Sequence, residues 1–263
     1  LGGGWTITPS AGARFYDHSI MDSETAPHAG VVLASDTMSF RANYARGVLY
    51  PGLDAAVLSQ LIPALGASWR DLDAETVDHL EVGASFSPTG STTIDVALFS
   101  DELKNRYIFG FPPLVTPPAF INLGDYEVRG LEASLQQQLT PDWNLFAGLT
   151  LLDPSLDTLP YAPEHSIVVG LNGRIGPWRL TLDAQNQASM LTLNQARTAG
   201  AANTQSVDGF TVVNARAAYP LPMLGNRGEI FVAVENLTDE SYQMRPGYPM
   251  PGASAQLGVN FSF

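Results

Sequence analysis

The chain has 263 residues, with 13 basic against 26 acidic side chains, a formal charge of −13 and no cysteine. That charge repels a phosphate backbone and argues against a nucleic-acid partner, while the absence of cysteine excludes disulfides, zinc–thiolate centres and thiol nucleophiles. With 24 glycines, 19 prolines and Lys104 as the only lysine, the composition favours strands and turns, and no run of about 18 apolar residues is present to cross a bilayer as a helix.

Period-two alternation bounded by turn residues predicts about thirteen strands. In chain order they are residues 1–7, 10–18, 28–35, 38–46, 76–86, 91–104, 121–139, 142–152, 164–174, 177–189, 208–220, 228–236 and 253–263. The connections alternate in length. Short turns are expected at 8–10, 35–37, 87–91, 140–142, 175–177 and 221–228, and long loops at 19–27, 47–75, 105–120, 153–163, 190–207 and 237–252. The second long loop carries a short helical candidate, LDAAVLSQL, at 53–61. Tight turns on one rim and long loops on the other describe an antiparallel meander of the transmembrane β-barrel type.

The strand faces agree with that reading, because a membrane barrel is apolar outside and polar inside. Met38, Phe40, Ala42 and Tyr44 alternate with Ser39, Arg41 and Asn43, and Leu80, Val82, Ala84 and Phe86 with His79, Glu81, Gly83 and Ser85. Leu131, Ala133 and Leu135 alternate with Glu132, Ser134 and Gln136, and Trp178, Leu180, Leu182 and Ala184 with Arg179, Thr181, Asp183 and Gln185. A soluble sandwich also alternates, but it does not need strands this long or loops sorted by length. Trp5, Phe86, Trp143, Trp178 and Tyr219 all fall beside short turns, as a headgroup girdle requires. The chain closes on Leu257, Val259, Phe261 and Phe263, alternating with Gln256, Gly258, Asn260 and Ser262. That pattern gives the last strand a dry face.

Four stretches, in order, resemble the TonB-dependent outer-membrane receptors. They are LDAETVDHLEVGASF (72–86), NLGDYEVRGLEASLQQQLTPDWNLFAGLTLLD (122–153), LPYAPEHS (159–166) and VAVENLTDESYQMRPGYPMPGASAQLGVNFSF (232–263). Two positions depart from the family pattern: Ala74 stands where a proline is usual, and Ala253 where an arginine is common. The resemblance implies an all-β fold, an antiparallel transmembrane β-barrel with about 13 strands of a probable 22. It makes residues 1–263 the C-terminal portion of the barrel, a single domain without the plug, and the start at LGGGWTITPS reads as a longer polypeptide that has lost its front. It implies a Gram-negative outer-membrane location, contact with lipid and lipopolysaccharide, and coupling to the TonB complex through the missing N-terminal plug. The implied function is energised uptake of a scarce solute, such as a ferric siderophore, another metal chelate or cobalamin, the alternative being a passive or structural barrel. Gln256, Gly258, Phe261 and Phe263 match the family's final-strand signal for the barrel assembly machinery.

No catalytic constellation is present: there is no Gly-x-Ser-x-Gly elbow, phosphate loop or His-Glu-x-x-His, so no enzyme activity and no cofactor are expected. His18, His28, His79 and His165 and the loop methionines Met21, Met190, Met244 and Met250 map near the long-loop rim, but at no ligand spacing, and no metal site is assigned. Rim aromatics are the candidate ligand contacts: Tyr50, Trp69, Phe109, Phe111, Tyr161, Tyr242 and Tyr248. They line an extracellular vestibule or hold the loops together. Arg41, Glu81, Glu132, Asp183 and Arg216 are expected on the lumen wall. Carboxylates such as Asp17, Asp22, Glu24, Asp71, Asp73, Glu75, Asp157 and Glu164 outnumber basic residues at the long-loop rim. A neutral, cationic or cation-bridged ligand is therefore expected rather than a strongly anionic catecholate chelate.

Overall fold

Alternating side chains on consecutive strands produce one continuous antiparallel sheet in the computed structural model, which describes residues 4–110, 116–122, 124–193, 204–224 and 228–261. Twelve strands follow one another in the sheet, each paired with its neighbour along the chain. They are β1 (Thr6–Tyr16), β2 (Glu24–Ala34), β3 (Met38–Leu49), β4 (Glu75–Thr89), β5 (Thr92–Lys104) and β6 (Tyr126–Thr140). The second half continues with β7 (Trp143–Pro154), β8 (His165–Ile175), β9 (Trp178–Gln187), β10 (Phe210–Pro220), β11 (Gly228–Glu235) and β12 (Ser254–Phe261). Three two-stranded ribbons sit in the long loops, at Tyr107–Gly110 with Ala119–Asn122, Met190–Leu193 with Thr204–Val207, and Gln243–Arg245 with Tyr248–Pro249.

The expected strands 1–7 and 10–18 are a single strand, and the turn expected at 8–10 does not exist. Thr8, Pro9 and Ser10 pair in register with Val32, Val31 and Gly30. The β1–β2 ladder runs through Pro9, which stands opposite Val31, without a shift of register. The other expected strands are present, with their ends moved by a few residues, and the helix at Leu53–Leu61 forms as expected.

Register sorts the two faces. Val31, Ala42, Val82, Leu98, Leu131 and Leu151 lie opposite one another in a single cross-strand row. The adjacent row is Val32, Arg41, Gly83, Ala97, Glu132, Thr150 and Ser166. One face is thus apolar and the other largely polar, and the apolar one is open: Leu80, Leu98 and Leu257 are 54%, 51% and 74% exposed. A sheet with its apolar side chains bare has no core of its own and is stabilised only when lipid covers that face. β4 and β6 have 15 residues each, more than the roughly 9–11 a tilted strand needs to cross the hydrocarbon, so they continue above it.

Strand direction alternates, so β2–β3, β4–β5, β6–β7, β8–β9 and β10–β11 are joined at one rim, and the long loops fall at the other. On the short-turn rim Trp178 and Tyr219 meet edge-on at 5.0 Å, and Trp5 stacks on Phe40 at 6.2 Å. Phe86 and Trp143 share the apolar face with them, in register with Ile94 and Gly173. The girdle expected from sequence is therefore one-sided, at one height. At the opposite rim Ala55, Leu65, Leu72 and Phe120 form a small buried cluster that ties the helical loop to the 107–122 ribbon.

Candidate functional site

The polar face becomes a site where the last long loop folds over it. The loop leaves β11 through Asn236, only 3% exposed and left-handed at φ 50°. Asn236 donates from Nδ2 to the carbonyls of Glu240 (2.8 Å) and Pro251 (3.1 Å) and accepts the Glu240 amide at Oδ1 (2.8 Å). Asp239, also left-handed at φ 54°, accepts the Ala253 amide at 2.8 Å. Asparagine and aspartate tolerate this backbone because their short side chains bond locally. Both feet of the loop are thereby pinned, and its ribbon is turned inward. Tyr242 packs on Phe210 with ring centroids 4.3 Å apart, and Phe210 belongs to the polar face through its register with Gln187.

Two recesses flank this contact. One, of about 420 Å³, is lined by Arg41, Asp95, Glu132, Ser166, Gln187, Phe210 and Met244, and the other, of about 500 Å³, by Asp183, Asn214, Arg216, Tyr242 and Met250. Their walls mix aromatic and thioether surface with a few convergent polar groups, the usual make-up of a small-molecule site.

Charges on this face are cross-linked between strands. Arg41 pairs with Glu81 at 2.6 Å and Asp95 at 3.1 Å, and Asn214 donates to Asp183 at 2.8 Å. Arg216 pairs with Glu229 at 2.6 Å, Arg179 also contacts Glu229, and Asn260 donates to it at 2.9 Å. Glu132 has no ion-pair partner among the described residues. All five lumen charges expected from sequence lie on this face. Gly170 and Gly258 leave room for the rings of Phe146 and Phe231, which lie across them where a Cβ would collide.

The seven predicted aromatic contacts do not form one cluster. Tyr50 donates to the Asp22 carbonyl at 2.8 Å and stacks on His18 at 4.7 Å, near β1 and β3. Desolvation and the charges of Glu24, Asp17 and Asp22 raise its phenol above the ordinary value. Trp69 is partly buried against the loop cluster, with Arg70 over its ring. Phe109 is in the ribbon opposite Phe120, and Phe111 lies outside the described residues. Tyr161, 47% exposed and left-handed at φ 62°, anchors its loop by a hydrogen bond from its backbone N–H to the Leu191 carbonyl at 2.7 Å. Tyr248 is exposed beside Arg245, leaving Tyr242 as the predicted aromatic that reaches the inner recesses. Phe210, Met244 and Asp95, which complete those recesses, carried no signal in the sequence beyond their places on alternating strands or in a long loop.

The histidines are dispersed. His18 accepts the amides of Ile20 and Met21 at 3.3 and 3.1 Å, His79 pairs with Asp101 at 2.6 Å, and His165 bonds Asn186 at 3.0 Å. Among the described residues no group of three or more His, Asp or Glu side chains converges as a metal site would require. Above the apolar band on the outer face, Arg46 binds Asp78 through 2.8 and 2.6 Å bonds, Arg129 holds Glu127 at 2.8 Å, and Lys104 holds Glu102 at 3.0 Å. Part of the rim's acidic charge is therefore neutralised. Of the residues expected to form the terminal signal, Gln256 pairs with Ala233, Gly258 lies under Phe231, and Phe261 is 56% exposed on the apolar face. Phe263 lies outside the described residues.

Comparison with known proteins places this architecture. The family model described as "TonB dependent receptor-like, beta-barrel" matches residues 1–237. The probable TonB-dependent siderophore receptor PiuA of Acinetobacter baumannii is 22% identical over 236 residues, covering 76% of this chain and 30% of that protein. The ferric enterobactin receptor PfeA of Pseudomonas aeruginosa superposes with a TM-score of 0.75 at 19% identity, over 100% of this chain and 44% of that one. The FrpB iron transporter of Neisseria meningitidis gives 0.75 at 18% identity, over 99% and 43%. The chain thus spans less than half the length of each of these proteins.

Proposed function

The chain belongs to the TonB-dependent receptor β-barrel family, and on that premise we propose that residues 1–263 are the C-terminal part, a single domain, of the wall of an outer-membrane receptor that imports a scarce solute by TonB-linked energy. The observation that carries this reading is the two-faced sheet, bare and apolar on one side and polar on the other, with the last long loop drawn over the polar side at Tyr242 and Phe210. A soluble sheet would bury the apolar face. Here the polar face is the one over which the last long loop folds.

The solute class is a metal chelate, with ferric siderophores first and other chelates or cobalamin next, since the named relatives are a siderophore receptor, a ferric enterobactin receptor and an iron transporter. The excess of carboxylates in the rim loops favours a neutral or cationic complex, because a field of one sign concentrates counter-charge and slows like charge. Its partners are lipid and lipopolysaccharide on the outer face, the assembly machinery at the last strand, and TonB through a plug. No catalysis is assigned to it.

Uptake of radiolabelled iron by cells carrying the complete receptor tests the reading. Accumulation that stops when TonB is deleted supports it. Accumulation that persists without TonB supports a passive barrel and contradicts the proposal.

A further inference from the structure

Arg174 and Arg179 stand directly opposite each other in the β8–β9 ladder, one pair in from the turn at 176–177. Like charges directly opposite are destabilising in an antiparallel pair. In a chain with 26 acidic and only 13 basic residues, that pairing runs against the local rule, and such violations concentrate at functional sites. Both are on the polar face, because Arg179 is in register with Ala218, and Ala218 with Phe231. The nearby carboxylate reaches Arg179 but not Arg174. Glu229, whose side chain is 12% exposed, is already held by Arg179, Arg216 and Asn260. Arg216 also lies over the Phe231 ring at 4.6 Å. Arg174 is exposed and has no ion pair among the described residues. Arg179 and Arg216 thus share one carboxylate at the short-turn end of the inner face, at the opposite rim from the acidic loops, and Arg174 stands beside them without a counter-charge.

We propose that Arg174 and Arg179 form a binding site for an oxyanion, a carboxylate or phosphate, presented at the short-turn mouth of the lumen either as a free anion or on an acidic polypeptide segment. The paired planar forks match such a group through charge-assisted, bidentate bonds. An oxyanion between them converts a repulsive pair into a clamp. Glu229 keeps Arg179 in place from the other side, while Arg174 remains free to close on the ligand.

The test is calorimetric titration of the complete receptor, purified in detergent, with inorganic phosphate and, separately, with hexaglutamate. Binding of at least one probe should weaken by about tenfold or more in R174Q/R179Q, the loss expected for charged hydrogen bonds. It should be unchanged in R14Q, which sits on the same face at the other rim, and should fall with added salt. R174K/R179K, which keeps charge but loses the fork, should bind at an intermediate level. Phosphate binding identifies a free anion as sufficient, and hexaglutamate binding alone identifies an acidic segment. Without ligand, R174Q should melt no lower than the parent, because repulsion is relieved. The proposal is overturned if the parent binds neither probe, if R174Q/R179Q binds as the parent does, or if ligand-free R174Q melts lower, which would make Arg174 a structural residue.

Discussion

Leu182 and Thr181 are adjacent on β9 and belong to opposite worlds if the faces are assigned correctly. Leu182 is the fifth of ten residues in its strand, in register with Leu171 and Ala215 on the apolar face, and is 48% exposed in the isolated sheet. Leu182→Arg puts a cation near the bilayer midplane, at a cost of roughly 2–4 kcal/mol, or roughly 30- to 900-fold in the folding equilibrium. Thr181→Arg faces the lumen. It loses the 2.9 Å bond to Asn172, worth about 1 kcal/mol, and meets Arg216 directly across the ladder, a repulsion of at most about 1 kcal/mol. Its total of roughly 1–2 kcal/mol should stay below that of Leu182→Arg. Reversible denaturant unfolding in lipid vesicles measures both. If Thr181→Arg proved the more damaging, inside and outside would be reversed and the reasoning refuted.

Deleting Phe263 should lower surface abundance of the complete receptor far more than its melting point in detergent; normal surface levels would dismiss the terminal assembly signal. Asn236→Ala removes three side-chain bonds at a buried left-handed position, a loss of roughly 1–3 kcal/mol, so limited proteolysis should cut the 236–253 loop faster, and unchanged cleavage would mean that other contacts hold it. A strongly anionic catecholate chelate should bind weakly at low ionic strength and no worse as salt rises; tight binding that weakens with salt would show a basic site instead.

The fold was legible because lipid and water impose opposite demands on alternating residues, and stretches such as LEVGASF record that alternation without help from distant contacts. Pro9 misleads for a local reason: a proline flanked by Thr8 and Ser10 reads as a turn, whereas proline's fixed φ is also compatible with extended backbone, and the pairing with Val31 carries the strand through it. Parity alone places the charges on the polar face, but the Arg41–Glu81 and Arg216–Glu229 pairs depend on strand register, which a single sequence does not print. The site was the least legible part. Tyr242 could be named as a loop aromatic, but its contact with Phe210 requires the Asn236 and Asp239 turns to tip a whole loop inward. Trp69 could not be told from a ligand contact, because packing and recognition use the same side chain.

Cysteine labelling, compared with the parent receptor as background, is the most direct test of the central claim, that this sheet is outer-membrane barrel wall with its long loops outside. Single cysteines at Asp157, in the loop between β7 and β8, and at Asp142, in the turn between β6 and β7, would be introduced into the complete receptor and exposed to a membrane-impermeant maleimide on intact cells. The account predicts that D157C is labelled at once and D142C only after the outer membrane is permeabilised. Labelling of D142C on intact cells, with D157C protected, would contradict it.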